Sequence, residues 1–141
     1  AALTSGEADH AGMDADLTER QRRHSERVHA SLLETWARVV ATIGSRGAEA
    51  ADAATAAGEM FAHAGQIGAA AHAFWLAGQI HRENGDLAGA VLSLESAYEG
   101  LTIARDSSNR ARAASELIDV LRATGQHDRA DAVIGTLTSA T

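Results

Sequence analysis

The stretch Ala71 to Ala104, AHAFWLAGQIHRENGDLAGAVLSLESAYEGLTIA, decides how this chain folds. At its centre stands Asn84-Gly85-Asp86. Glycine readily takes the left-handed conformation that ends a helix, and aspartate caps the start of the next one. Beyond that turn, Leu87, Val91, Leu94, Tyr98 and Leu101 recur at steps of three and four, the spacing of one helix face. Before it lies a run of alanines with Phe74, Trp75, Leu76 and Ile80. Alanine has the best intrinsic helix propensity and lets helices approach closely. The stretch therefore reads as two helices joined by a short turn, which makes them antiparallel neighbours.

Working outward, the same punctuation recurs. Gly44 opens a turn, and Gly65, Gly85 and Gly125 follow it at close to one, two and four equal intervals. Midway between the last two lies the polar, cap-forming run Asp106-Ser107-Ser108-Asn109. The breaks predict about six helices, over 16–43, 47–64, 67–84, 87–105, 109–124 and 127–138. Two helices in every repeat of about 40 residues is the mark of a helical repeat array. Leu117, Ile118 and Leu121 are expected in a second core stripe, and Val28, Leu32, Trp36, Val39, Val40 and Ile43 along the inner face of the first helix. Residues 1–15, small, polar and aperiodic, read as a flexible lead-in or linker. Asp16 with Glu19 matches a capping box that would start the first helix. The helical-repeat domain is then 16–141.

Composition narrows the function. With 141 residues the chain can bury a core as one domain. It has no proline to break a helix, no cysteine and no lysine; all 12 basic residues are arginine. That removes disulfides, thiolate chemistry, the lysine of a phosphate-binding loop and Schiff-base catalysis. A net charge of −7 speaks against direct nucleic-acid binding. No apolar run approaches the roughly 20 residues that span a bilayer, so no membrane role and a cytoplasmic location are expected. No nucleophile elbow or glycine-rich dinucleotide loop occurs, so neither an enzyme nor a cofactor site is expected.

Seven histidines raise the question of metal. Glu59 and His63 share a helix face, but His72 and His81, nine apart, fall on opposite sides of one helix, and His24 and His29 also diverge. No metal site follows. The cluster Arg20, Arg22, Arg23 and Arg27, interleaved with Glu19 and Glu26, reads as a solvated helix face.

The residues of the central stretch resemble the tetratricopeptide repeat, a helix pair of about 34 residues. Gly78, Gly85, Ala90, Leu94 and Ala97 stand where that motif has its small, turn, alanine, large apolar and alanine positions. Phe74 and Leu87 fill two further large positions, and Gly85-Asp86-Leu87-Ala88-Gly89-Ala90 looks like the family's turn. A second copy carries Gly125, Ala130 and Ile134 but departs from the motif with Ile118 and Leu137; a weaker first copy includes Gly44. The longer spacing in this chain is similar to the extended repeats of large bacterial, actinobacterial-type regulators.

The resemblance implies an all-α solenoid of antiparallel helix pairs that binds a protein or peptide; the alternative is a small-ligand-binding helical bundle or minor enzyme. It also implies that the first helix of each pair lines a concave groove. The matching positions here are His72, Trp75, Gln79 and Arg82, then Arg112, Ser115, Asp119 and Arg122, with Arg38 in the weak copy. Arginine and tryptophan are enriched at binding hot spots, and guanidinium grips carboxylate, so the expected partner carries acidic groups. Arg82 and Arg122 are expected to form a ladder. The last helix, with Val133, Ile134 and Leu137, is expected to leave an open end that favours a weak homodimer or marks a truncated array.

Overall fold

The computed structural model describes residues 5–43 and 47–139, with the side chains of 5–11 and 43 left aside. Six helices account for nearly all of it: α1 (Ser5–Ile43), α2 (Gly47–His63), α3 (Ile67–Glu83), α4 (Leu87–Ile103), α5 (Ser107–Ala123) and α6 (His127–Ser139). No strand occurs among the described residues, and the chain is all-α.

Helices α2 to α5 are each 17 residues long, and turns of three residues separate α2 through α6. Four turns repeat one hydrogen-bond pattern. In the second, Gly85 N–H donates to the Arg82 carbonyl and Asp86 N–H to that of His81. The same pair of bonds closes the turns at Gly65, Arg105 and Gly125. This is the Schellman closure, and it needs one left-handed residue. Gly65, Gly85 and Gly125 supply it at φ of 78°, 79° and 77°, and Arg105 at 58°. The break expected at 106–109 therefore turns on Arg105, and its polar residues open α5 instead. Asp106 caps α5 by accepting from Asn109 N–H, as Asp86 caps α4 by accepting from Gly89 N–H. The turn expected at Gly44 lies outside the described residues.

The principal packing runs in chain order, each helix against the next, with a further contact between α1 and α3. The core divides by composition. Between α1, α2 and α3 it is mostly alanine: Ala30, Ala37, Ala50, Ala51, Ala54, Ala57 and Ala77, with Val40, Phe61 and Ile80. From α3 to α6 it is built on Val91, Leu94, Leu101, Leu117, Ile118, Val120 and Leu121, and Phe74 packs against both halves. Leu87 and Tyr98 join the second core at its margin, so both expected stripes are present. Two glycines hold α3 close to its neighbours: a Cβ on Gly58 would meet the Phe74 ring at 2.7 Å, and one on Gly78 would meet Leu94 at 2.7 Å.

Three expectations change. Helix α1 runs from Ser5, through residues read as lead-in, so Asp16 lies inside the helix. Its carboxylate pairs with Arg20 at 2.7 Å instead of capping. The inner face of α1 is Ala30, Leu33, Ala37, Val40 and Ala41; Val28, Leu32, Trp36 and Val39 are exposed. The inner face of α1 thus carries three alanines with Leu33 and Val40, and packs against the alanine-rich α2. Finally, Val133, Ile134 and Leu137 pack onto the core, while Asp128, Ala132, Gly135, Thr136 and Ser139 face outward. Most of the exposed large apolar side chains are instead on α1, at the other end of the helix array.

Candidate functional site

Helices α1, α3 and α5 meet around an open cleft of about 380 Å³. Arg38 from α1, His72, Trp75, Leu76 and Gln79 from α3, and Asn109 and Arg112 from α5 line it. Five of the eight residues expected from sequence therefore come together here: Arg38, His72, Trp75, Gln79 and Arg112.

Trp75 organises the cleft. It is only 7% exposed, and the carboxylate of Glu116 on α5 accepts a hydrogen bond from its indole N–H. The other Glu116 oxygen accepts from Gln79 Nε2 at 3.1 Å. A carboxylate only accepts, so Gln79 is the donor and uses its side-chain nitrogen. His72 stacks against the indole, ring centres 6.0 Å apart and planes 29° from parallel. The Arg112 guanidinium lies over the same indole, 5.2 Å from its centre, a cation–π contact. Arg112 also donates to Asn109 Oδ1 at 3.4 Å.

Asn109 leads to the turn. Its side-chain amide donates to Asp106 at 2.7 Å. That bond first, and the Asn109 backbone N–H next, hold the Asp106 carboxyl below its ordinary pKa, with a smaller contribution from the His72 imidazole. Across the cleft, Arg38 pairs with Glu34 one helical turn away at 2.9 Å and remains largely exposed. Both cations thus sit at the rim and can swing onto a ligand, while the aromatic wall behind them is held fast.

The remaining expected residues lie apart from this lining. Arg82 on α3 approaches Asp119 on α5 at 4.0 Å, with both side chains about half exposed. Arg122, in the last turn of α5, is exposed and has no carboxylate within ion-pairing distance among the described residues. Arg82 thus reaches across to α5 through Asp119.

Glu116 escaped the sequence reading because one carboxylate among 19 acidic residues carries no mark of its own. A signal existed in the period: Glu116 stands one full repeat after Leu76, so the preceding pair has an apolar residue at the same place.

The histidines disperse. His72 stacks in the cleft, His81 approaches Asp86 at 3.2 Å, and His63 lines a separate hollow with Glu26, Ala56, Glu59 and Met60. Among the described residues no three His, Asp or Glu side chains gather as metal ligands would. No helix among them is long and apolar enough to cross a membrane. No family model, curated protein or solved structure matches the chain.

Proposed function

We propose that this chain is a protein- or peptide-binding module of the tetratricopeptide type, and that its ligand is a segment carrying acidic groups laid into the Arg38–Trp75–Arg112 cleft. One observation carries the reading: three helices distant in sequence converge on an open cleft that joins a fixed tryptophan to two exposed arginines. An open, solvent-facing shape suits a chain segment better than a small molecule, which calls for an enclosed and mostly apolar pocket. The even spacing of the left-handed turns supports stacked helix pairs as in that repeat family. Glu116 is engaged by Trp75 and Gln79 behind the wall, and Arg38 exchanges its exposed Glu34 pair for the ligand. Gln79 offers its carbonyl oxygen to a backbone N–H of that segment. In this reading the domain is the sensory or interaction part of a larger bacterial regulator.

The test begins with a displayed library of short peptides selected on the immobilised chain. Selected sequences should be rich in aspartate and glutamate. A hydrogen bond to a charged group contributes about 1.5–3 kcal/mol, so Arg112→Ala should weaken the best binder roughly tenfold to a hundredfold. Arg23→Ala, on the outer part of α1, should leave it unchanged. Neutral or basic selected peptides, or binding lost in Arg23→Ala and kept in Arg112→Ala, would end the proposal.

A further inference from the structure

The entrance of α5 carries a side chain that its cap does not need. Asp106 caps α5 as Asp86 caps α4, each accepting from the backbone N–H three residues on. In α4 that residue is Gly89, so the cap by itself asks for no side chain there. In α5 it is Asn109, whose side-chain amide makes two further contacts. Its Nδ2 donates to Asp106 Oδ2 at 2.7 Å, and its Oδ1 accepts from Arg112 Nη1 at 3.4 Å.

Donor and acceptor chemistry fixes which way round the amide stands. A carboxylate only accepts and a guanidinium only donates. Asp106 therefore takes the amide nitrogen, and the amide oxygen is presented to Arg112. Both Asp106 oxygens are engaged by Asn109, one through its backbone N–H and one through its side chain. The side-chain bond is also the largest cause of the lowered Asp106 pKa, as expected of a contact to the charged carboxylate.

Asn109 and Arg112 both line the cleft, one helical turn apart on α5. The Arg112 guanidinium is held from two sides, by the Asn109 oxygen and by the Trp75 indole, whose centre is 5.2 Å away. The indole is in turn fixed by Glu116. The amide oxygen and the indole face are neutral, so they orient the guanidinium without neutralising it. A long side chain that is ordered only when a ligand arrives weakens binding by the rotamer freedom it then loses; one ordered beforehand does not.

We propose that Asn109, oriented by Asp106, is a positioning residue that holds Arg112 over Trp75 in the pose that meets the ligand. The role rests on the cleft being the seat of an acidic segment, as proposed above.

Asn109→Ala keeps the backbone N–H that Asp106 accepts, so helix content and unfolding temperature should stay close to the parent's. Two readouts follow Arg112 itself. In the ligand-free protein its side-chain NMR signals are shifted by the ring current of the indole, and in Asn109→Ala they should move toward those of a free arginine. With a blocked oligoglutamate peptide as the probe, Asn109→Ala should bind about threefold to tenfold more weakly than the parent, the effect of ordering one long side chain. Adding Asn109→Ala to Arg112→Ala should weaken binding no further, since the amide acts through the guanidinium. The proposal is overturned if the Arg112 signals stay in place in Asn109→Ala. It is equally overturned if Asn109→Ala binds as the parent does while Arg112→Ala binds more weakly, or if the two losses add. A parent that does not bind the probe, or an Arg112→Ala variant that binds it as well as the parent, counts against the cleft reading instead; the Arg112 signals then decide the positioning by themselves.

Discussion

Replacing Glu116 by alanine tests how the cleft wall is held. The carboxylate accepts from Trp75 and from Gln79 at once. With Trp75 only 7% exposed, water cannot easily take over its indole N–H once the carboxylate is gone. An unsatisfied buried donor costs about 1–3 kcal/mol, and the lost bond is charge-assisted. Gln79 is half-buried and can turn to solvent, so its share is small. The expected loss is about 2–3 kcal/mol. An unfolding entropy of about 2.1 cal/mol/K per residue over 141 residues makes 1 kcal/mol about 3 °C, so the midpoint should fall by about 7–10 °C. Glu116→Gln keeps shape and acceptor, gives up only the charge, and should lose less than about 1 kcal/mol. Thermal and urea unfolding by circular dichroism give the energies. Tryptophan emission, in a Trp36→Phe background that removes the 40% exposed second indole, shows whether Trp75 loosens. The reasoning fails if alanine costs less than about 0.5 kcal/mol, the low end for a single net hydrogen bond. It fails equally if glutamine costs as much as alanine.

Further outcomes follow from the same geometry. Arg105 holds the left-handed turn position that glycine holds in the three sister turns, so Arg105→Gly should stabilise by about 0.5–1 kcal/mol and Gly85→Ala should destabilise by about 1–2 kcal/mol, read from urea midpoints. The α1–α2 half is packed mainly by alanine and the α3–α6 half by leucine, valine and isoleucine; amide hydrogen exchange should therefore be faster in α2 than in α4 and α5. Asp106 has its carboxyl pKa lowered in the folded chain, so its cap contributes fully above the unfolded value, about 3.9, and is lost as the pH falls through the lower folded value. Asp106→Asn caps without titrating and should flatten the loss of stability below about pH 4.

What the amino-acid sequence determined by itself was the local and the periodic. Helix ends from His63 onward were legible to within two residues, because left-handed glycines and capping aspartates act on the backbone within a single turn. The face of α4 that meets the core was legible because Leu87, Val91, Leu94, Tyr98 and Leu101 recur at steps of three and four along one side, whereas Leu92 and Ile103 on the other side stay exposed. Five of the residues that the resemblance placed on one face, Arg38, His72, Trp75, Gln79 and Arg112, line one cleft in the structure. Only the tertiary structure decided which face of α1 goes inside. Its larger apolar residues argued for one side, and packing against the alanine-rich α2 put Ala30, Leu33, Ala37 and Val40 on the other. The role of Glu116 was likewise a tertiary decision: its partners are 37 and 41 residues away, and nothing local separates a carboxylate that will bind an indole from one that will face water. The approach of Arg82 to Asp119 has the same origin, since the two are 37 residues apart in the sequence.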